Sequence, residues 1–247
     1  MSVLQSLLDK LSSQAANYLV LIDPDRKNAA RLEAIIETAN RAGADAILVG
    51  GSLIMDDGFD DRVAAIKAGT EAPVILFPGA SSQLSRHADA ILFMSLLSGR
   101  NPQYLIGEQV QAAPRVRHMG LEPIPTGYLL LDGGSPTAVQ FISGTQPLPL
   151  NQPDIILAHA LAAQYLGMSL VYLEAGSGAS QAVPDEVIRA VSGAVDIPVV
   201  AGGGIRTPGQ AAAKVQAGAK FIVTGSVAEE SADATSLQAF ADAIHQG

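Results

Sequence analysis

Leu170-Val171-Tyr172-Leu173-Glu174-Ala175-Gly176-Ser177-Gly178 is a short apolar run that stops at a carboxylate and a glycine-rich turn. The same punctuation recurs twice downstream. Pro198–Val200 runs into Gly202-Gly203-Gly204, and Phe221–Thr224 runs into Gly225-Ser226. Short apolar runs bounded by turn residues read as buried strands. The segments between them, Pro184–Ser192 and Thr207–Gln216, read as helices, the first with proline in its first turn. The second starts with Thr207 as N-cap and Pro208 at the first helical position. Strands alternating with helices imply a parallel sheet joined by crossovers.

The same reading extends towards the N-terminus. Further strands are expected at Tyr18–Ile22, Ala46–Val49, Val74–Phe77, Ala90–Met94 and Ile124–Leu131. Helices are expected at Asn28–Ala42, Phe59–Ala68, Tyr104–Ala113 and Ile155–Leu166, and Ser236–His245 closes the chain. Gln83–Ala88 is too short for a helix, so irregularity is expected around the third one. Two stretches echo each other: Ala42-Gly43-Ala44 and Ala217-Gly218-Ala219 each lead from a helix into a strand that ends in Gly-Ser. Eight strands favour a closed (β/α)8 TIM barrel over an open sheet, as one domain spanning 1–247.

Composition narrows the function classes. Of 247 residues, 48% are hydrophobic and 16% charged, below the roughly 25% of an average domain, so the chain can fill a large core. The net charge of -9, without a basic stripe, argues against nucleic-acid binding. Without cysteine, disulfides, thiolate catalysis and cysteine-built zinc sites are excluded. A cytoplasmic setting fits. Residues 1–18 are not expected to form a signal peptide, and no apolar run is long enough to span a bilayer. The apolar, sparsely charged exterior leads us to expect a homodimer or homohexamer.

In a barrel, the turns after the sixth, seventh and eighth strands sit side by side at the C-terminal face. Glycines there bring backbone N–H groups close to an anion, and a helix start adds a favourable field. This predicts a monophosphate held by Gly176, Ser177, Gly178, Gly203, Gly204, Gly225 and Ser226. The bland alternative is that the glycines only make tight turns. Neither a dinucleotide fingerprint nor a Gly-Lys-Ser/Thr loop is present.

Asp23 follows the first strand and Ser52 the second, so both stand over the same mouth. A carboxylate and a hydroxyl, completed by water and a substrate diphosphate, suit Mg²⁺. Asp25 is a neighbouring alternative. Glu174 is the candidate catalytic carboxylate, placed to bind substrate hydroxyls or take a proton. A solvated loop residue, or one paired with Arg206, is the structural alternative. Tyr172 shares its parity and is expected to face the barrel interior. Arg100 and His118 are candidates for a second phosphate. Asp132 borders the pocket or caps a turn, and His87, His159 and His245 have no metal-ligand spacing.

The chain resembles the geranylgeranylglyceryl phosphate synthase family, which also includes heptaprenylglyceryl phosphate synthases. The resemblance is carried by Leu21-Ile22-Asp23-Pro24-Asp25-Arg26, Val49-Gly50-Gly51-Ser52, Ile75-Leu76-Phe77-Pro78-Gly79, Tyr172–Gly178, Gly202-Gly203-Gly204-Ile205-Arg206 and Gly225-Ser226. It implies Mg²⁺-dependent transfer of a long prenyl group from its diphosphate to sn-glycerol 1-phosphate. The metal would sit at Asp23 and Ser52, and Glu174 and Asp23 would be the catalytic residues. Glycerol phosphate would lie along Tyr172, Leu173, Glu174, Ala175, Gly176, Ser177 and Gly178, at Gly203-Gly204 and at Gly225-Ser226. Arg26 stands where many members carry lysine.

The tail would need an apolar groove, with Phe93, Met94, Leu96, Leu97, Tyr104 and Leu105 as candidate walls. Ordinary core packing explains these equally well. The middle segment, with Ser98-Gly99-Arg100-Asn101-Pro102, resembles the geranylgeranyl branch, so C20 is preferred over C35. A transient membrane contact is expected, since the prenyl substrate is a lipid. The rivals are another phosphate-binding TIM-barrel isomerase or lyase and a non-catalytic barrel that binds a phosphometabolite. A Schiff-base aldolase needs a lysine at a strand end, and Lys27, Lys67, Lys214 and Lys220 fall in turns or helices.

Overall fold

A computed structural model describes residues 1–54, 56–227 and 234–247, with the side chains of 26, 27 and 234 outside that description. Eight parallel strands form a closed barrel in sequence order. They are β1 (Asn17–Ile22), β2 (Ala46–Val49), β3 (Val74–Leu76), β4 (Ala90–Leu96), β5 (Glu122–Leu130), β6 (Leu170–Glu174), β7 (Val199–Gly202) and β8 (Phe221–Thr224). β8 closes on β1 through the pair Leu19↔Val223. Alternation along each strand divides the apolar side chains into two layers. Leu19, Leu48, Leu170 and Val200 fill the barrel, whereas Val20, Val49, Leu173 and Ala201 pack outwards with the helices.

The helices are α1 (Val3–Lys10), α2 (Leu32–Arg41), α3 (Phe59–Ala68), α4 (Glu108–Met119), α5 (Ala138–Ser143), α6 (Pro153–Tyr165), α7 (Asp185–Ser192), α8 (Pro208–Gln216) and α9 (Ala234–Gln246). Several of them differ from the sequence expectation. The first turn expected for α2 is instead a 3-10 segment, Arg26–Arg31. α4 is preceded by a π turn, Gln103–Gly107. Pro184 is the N-cap of α7 rather than a residue of its first turn, with extended backbone at ψ 143°. Thr207 caps α8 in a full capping box with Gln210, as its spacing suggests. No helix bridges β3 and β4, the irregularity expected there. The echoed Ala-Gly-Ala turns share one device: Gly43 and Gly218 follow helix ends with positive φ, 75° and 113°.

α1 was not expected, although Val3, Leu4, Leu7 and Leu8 fall at helical spacing; it closes the floor of the barrel. Leu4 and Leu7 face Leu19, Leu48, Ile124 and Phe221 across a void of only about 10 Å³. Glu122, at the base of β5, accepts the amides of Val3 and Leu4, capping the free end of α1. Buried Asp45 joins this floor to the last helix. It accepts from Lys10 Nζ (2.7 Å), Gln14 Nε2 (3.1 Å), the Tyr18 amide (2.8 Å) and His245 Nε2 (2.8 Å). Burial alone would raise its pKa, but the bonds from His245, Lys10 and Tyr18 hold it below the usual range. A depressed pKa contributes stability above the unfolded value, lost as pH falls through the folded one. Asp45→Ala is expected to cost about 2–4 kcal/mol at pH 7 and much less at pH 3, measured by denaturant unfolding.

Candidate active site

The opposite end of the barrel opens into a cavity of about 1120 Å³, at the large end for small-molecule sites. Tyr172, Glu174, Ser177 and Gly178 line it from the β6 side, and Gly203, Gly204, Gly225 and Ser226 from β7 and β8. Asp23 and Ser52 line the same cavity from β1 and β2. Its apolar arm runs past Phe93, Met94, Leu96 and Tyr104 towards Val139 and Ile142 of α5. Leu97 and Leu105 do not line it, and Leu97 packs against the outer layer instead.

Glu174 ends β6 and is buried, with only 6% exposure. Desolvation raises its pKa from 4.5 to about 7, against two hydrogen bonds that stabilise the carboxylate. One comes from the Gly176 amide to Oε1, at 2.7 Å. The other comes from the Tyr172 hydroxyl, whose pKa burial and the nearby Glu174 charge push well up. Tyr172 stacks on Phe77 at 5.4 Å and contacts Tyr128 at 5.3 Å. The result is a carboxylate at the cavity floor that changes protonation near neutrality, on a rigid aromatic base.

Glycine makes room for this carboxylate. A Cβ on Gly203 would collide with Glu174 Oε1 and lie 2.7 Å from the Gly176 nitrogen, and Gly203 also holds φ at 80°. A Cβ on Gly202 would strike the Tyr172 hydroxyl and lie 3.0 Å from Glu174 Oε2. Among the described residues, no acceptor takes the amides of Ser177, Gly178, Gly203 and Gly204, which suits an anion.

Three expected acceptor residues are placed differently. Leu173 and Ala175 have the opposite parity to Tyr172 and Glu174, so their side chains lie in the outer layer. Gly176 spends its amide on Glu174, leaving none for a phosphate. Arg206 does not pair with Glu174. Its guanidinium donates to the carbonyls of Ala179 (2.6 Å) and Ser180 (3.3 Å), bracing the β6 loop. Arg100 and His118 lie outside the cavity. Arg100 bonds the carbonyls of Leu97 and Gly99 and approaches His159 Nε2 at 3.2 Å. Asp132 caps its own turn, accepting the Gly134 amide at 3.0 Å. The side chain of Arg26 lies outside the described residues.

Sequence reading missed Tyr128, Gly202 and α5. Tyr128 had a usable signal, its place inside the expected strand Ile124–Leu131, and it sits opposite Tyr172 in the β5–β6 register. On the acidic side, Asp23 Oδ1 accepts the Asp25 amide at 3.2 Å, and a Cβ on Gly51 would lie 2.8 Å from the same oxygen. The Ser52 loop therefore packs directly on this carboxylate. The described lining residues include the carboxylates of Asp23, Asp25, Glu108 and Glu174 but only one guanidinium, Arg206, and no lysine. A polyanion entering this cavity needs positive charge from elsewhere, and a Schiff-base mechanism finds no amine among these residues.

Residues 11–244 match the model of the PcrB family. The chain belongs to the PcrB family. A PcrB-family barrel of this length has relatives named geranylgeranylglyceryl phosphate synthase. That of Thermococcus gammatolerans is 47% identical over 223 residues, covering 90% of this chain and 87% of the relative. That of Chitinophaga pinensis is 41% identical over 243 residues, covering 98% and 96%. The crystal structure of (S)-3-O-geranylgeranylglyceryl phosphate synthase from Thermoplasma acidophilum, in complex with sn-glycerol-1-phosphate, superposes with a TM-score of 0.93. It is 43% identical, with 99% of each chain covered. A thiamine phosphate pyrophosphorylase from Pyrococcus furiosus, at 14% identity and a TM-score of 0.60, shares the fold alone. This PcrB-family protein is an enzyme, a prenyltransferase. Among its described residues, no helix is long and apolar enough to cross a membrane.

Proposed function

We propose that the enzyme joins geranylgeranyl diphosphate to the terminal hydroxyl of sn-glycerol 1-phosphate, giving geranylgeranylglyceryl phosphate and diphosphate. The observation that carries this reading is Glu174, a buried carboxylate poised near pH 7 between a glycine-lined anion pocket and an apolar groove. The free amides of Ser177, Gly178, Gly203 and Gly204, with Ser226, hold the acceptor phosphate. That fixes the acceptor hydroxyl beside Glu174, which orients it and takes its proton as the new C–O bond forms. The apolar arm holds the isoprenoid and keeps water from the allylic centre.

Asp23 and Ser52 offer hard oxygen donors, the chemistry Mg²⁺ prefers, in a cavity short of positive charge. When bound there, the ion would offset the charge of the diphosphate leaving group. Dialysis against a chelator is expected to abolish turnover, and added Mg²⁺ to restore it.

The proton-accepting role fixes the sign of the pH dependence. Glu174 must be ionised to act, so kcat/KM is expected to fall about tenfold per pH unit below pH 7. A flat profile from pH 5 to 8 would remove Glu174 from the chemistry. The reading as a whole is tested by product analysis with C15, C20, C30 and C35 diphosphates offered together. A C20 ether with sn-glycerol 1-phosphate is expected. A C35 product would overturn the chain length, and no ether product the proposal itself.

A further inference from the structure

We infer that Gln83 is a positioning residue for the diphosphate and cation end of the site. The inference rests on the reading above, which places that end at Asp23 and Ser52. Gln83 lies in the helix-free link between β3 and β4 and is buried, with 4% exposure. Both ends of its carboxamide are used. Nε2 donates to the Gly51 carbonyl at 2.9 Å, and Oε1 accepts the Gly79 amide at 3.1 Å. One side chain thus ties the loop after β2 to the loop after β3.

The tie lies directly behind the proposed ligands. Gly79 is pressed against the β2 loop, where an added Cβ would lie 2.6 Å from the Gly51 oxygen and 3.1 Å from Ser52 Cα. Gly51 is pressed in turn against the Asp23 carboxylate. Gln83 has no place in the cavity lining, so it acts through Gly51 and Gly79, setting where Ser52 stands relative to Asp23. Orienting groups of this kind usually affect metal affinity by about 10–100-fold when removed.

The test uses Gln83→Met, which keeps length and removes both bonds, and Gln83→Glu, which keeps the acceptor for Gly79 and loses the donor to Gly51. Asp23→Asn is the reference. Titration calorimetry with Mg²⁺ plus inorganic pyrophosphate reads the cation end without turnover, and sn-glycerol 1-phosphate reads the phosphate cradle in the same samples. Both Gln83 variants are expected to weaken Mg²⁺–pyrophosphate binding at least tenfold and raise the Mg²⁺ needed for half-maximal activity. Binding of glycerol phosphate should change less than twofold. If Asp23→Asn loses pyrophosphate while both Gln83 variants keep it, the inference is overturned and the proposed function stands. If Asp23→Asn binds like the parent, the assignment of the cation end itself fails. Equal loss of both ligands in both Gln83 variants would mean a merely structural role and would also overturn the inference.

Discussion

Glu174→Gln is expected to lower kcat/KM by about 10²–10⁴-fold, the usual worth of a positioned general base, while making the protein more stable. The amide preserves the shape. Its oxygen still accepts the Gly176 amide, and its nitrogen can donate to the Tyr172 hydroxyl, which rotates to suit. What disappears is a buried charge. A carboxyl whose pKa rises from 4.5 to about 7 on folding stabilises the fold relatively most below pH 4.5. That contribution is lost as pH climbs through 7, where the folded protein must carry the ion. The shift corresponds to about 3 kcal/mol. The variant should therefore exceed the parent by roughly that much at pH 8, shrinking towards pH 4.5. Urea unfolding at the two pH values checks it. Equal stabilities at pH 8 would show that Glu174 is not strained by burial.

Gly203→Ala should be comparably damaging to activity for a different reason. The new methyl would enter the space of Glu174 Oε1 and crowd the Gly176 nitrogen that bonds it. An L-residue at φ 80° adds about 1–2 kcal/mol of backbone strain. We expect at least a 100-fold loss of kcat, since misplacement of about 1 Å suffices for that. The Tm should fall by several degrees. Gly209→Ala, where a Cβ meets nothing within 4 Å, is the matched control and should behave like the parent. Full activity in Gly203→Ala would mean that Glu174 has more room than this geometry allows.

The strands were legible to within two residues at each end because the barrel buries each strand on both faces. Continuous apolar runs such as Ala46–Val49 and Phe221–Thr224 can be read to the residue. The side of the sheet faced by each residue was legible from parity, as for Tyr172 and Glu174. The same parity turns the side chains of Leu173 and Ala175 outwards, leaving only their backbone to face a ligand. α1 was legible too, since Val3, Leu4, Leu7 and Leu8 fall at helical spacing; what sequence does not show is that this face packs on the barrel floor. α5 spans six residues in a loop rich in proline and threonine, held by its Thr137 cap, too short for periodicity to register. The roles of Gly202 and Gly203 depend on which side chain crosses over them, a three-dimensional fact that no local pattern encodes.

Among the described residues, the α1 seal leaves the barrel open only at the cavity mouth. Among the described residues, Tyr172 and the apolar layers beneath it leave only a small dry void below Glu174, so on the proposed reaction the proton that carboxylate collects departs through the mouth. The prenyl ether product of the proposed reaction leaves by the same route. On the proposed reaction, the carboxylate is recharged for another cycle only after the mouth clears, which couples the resetting of the base to the departure of the lipid.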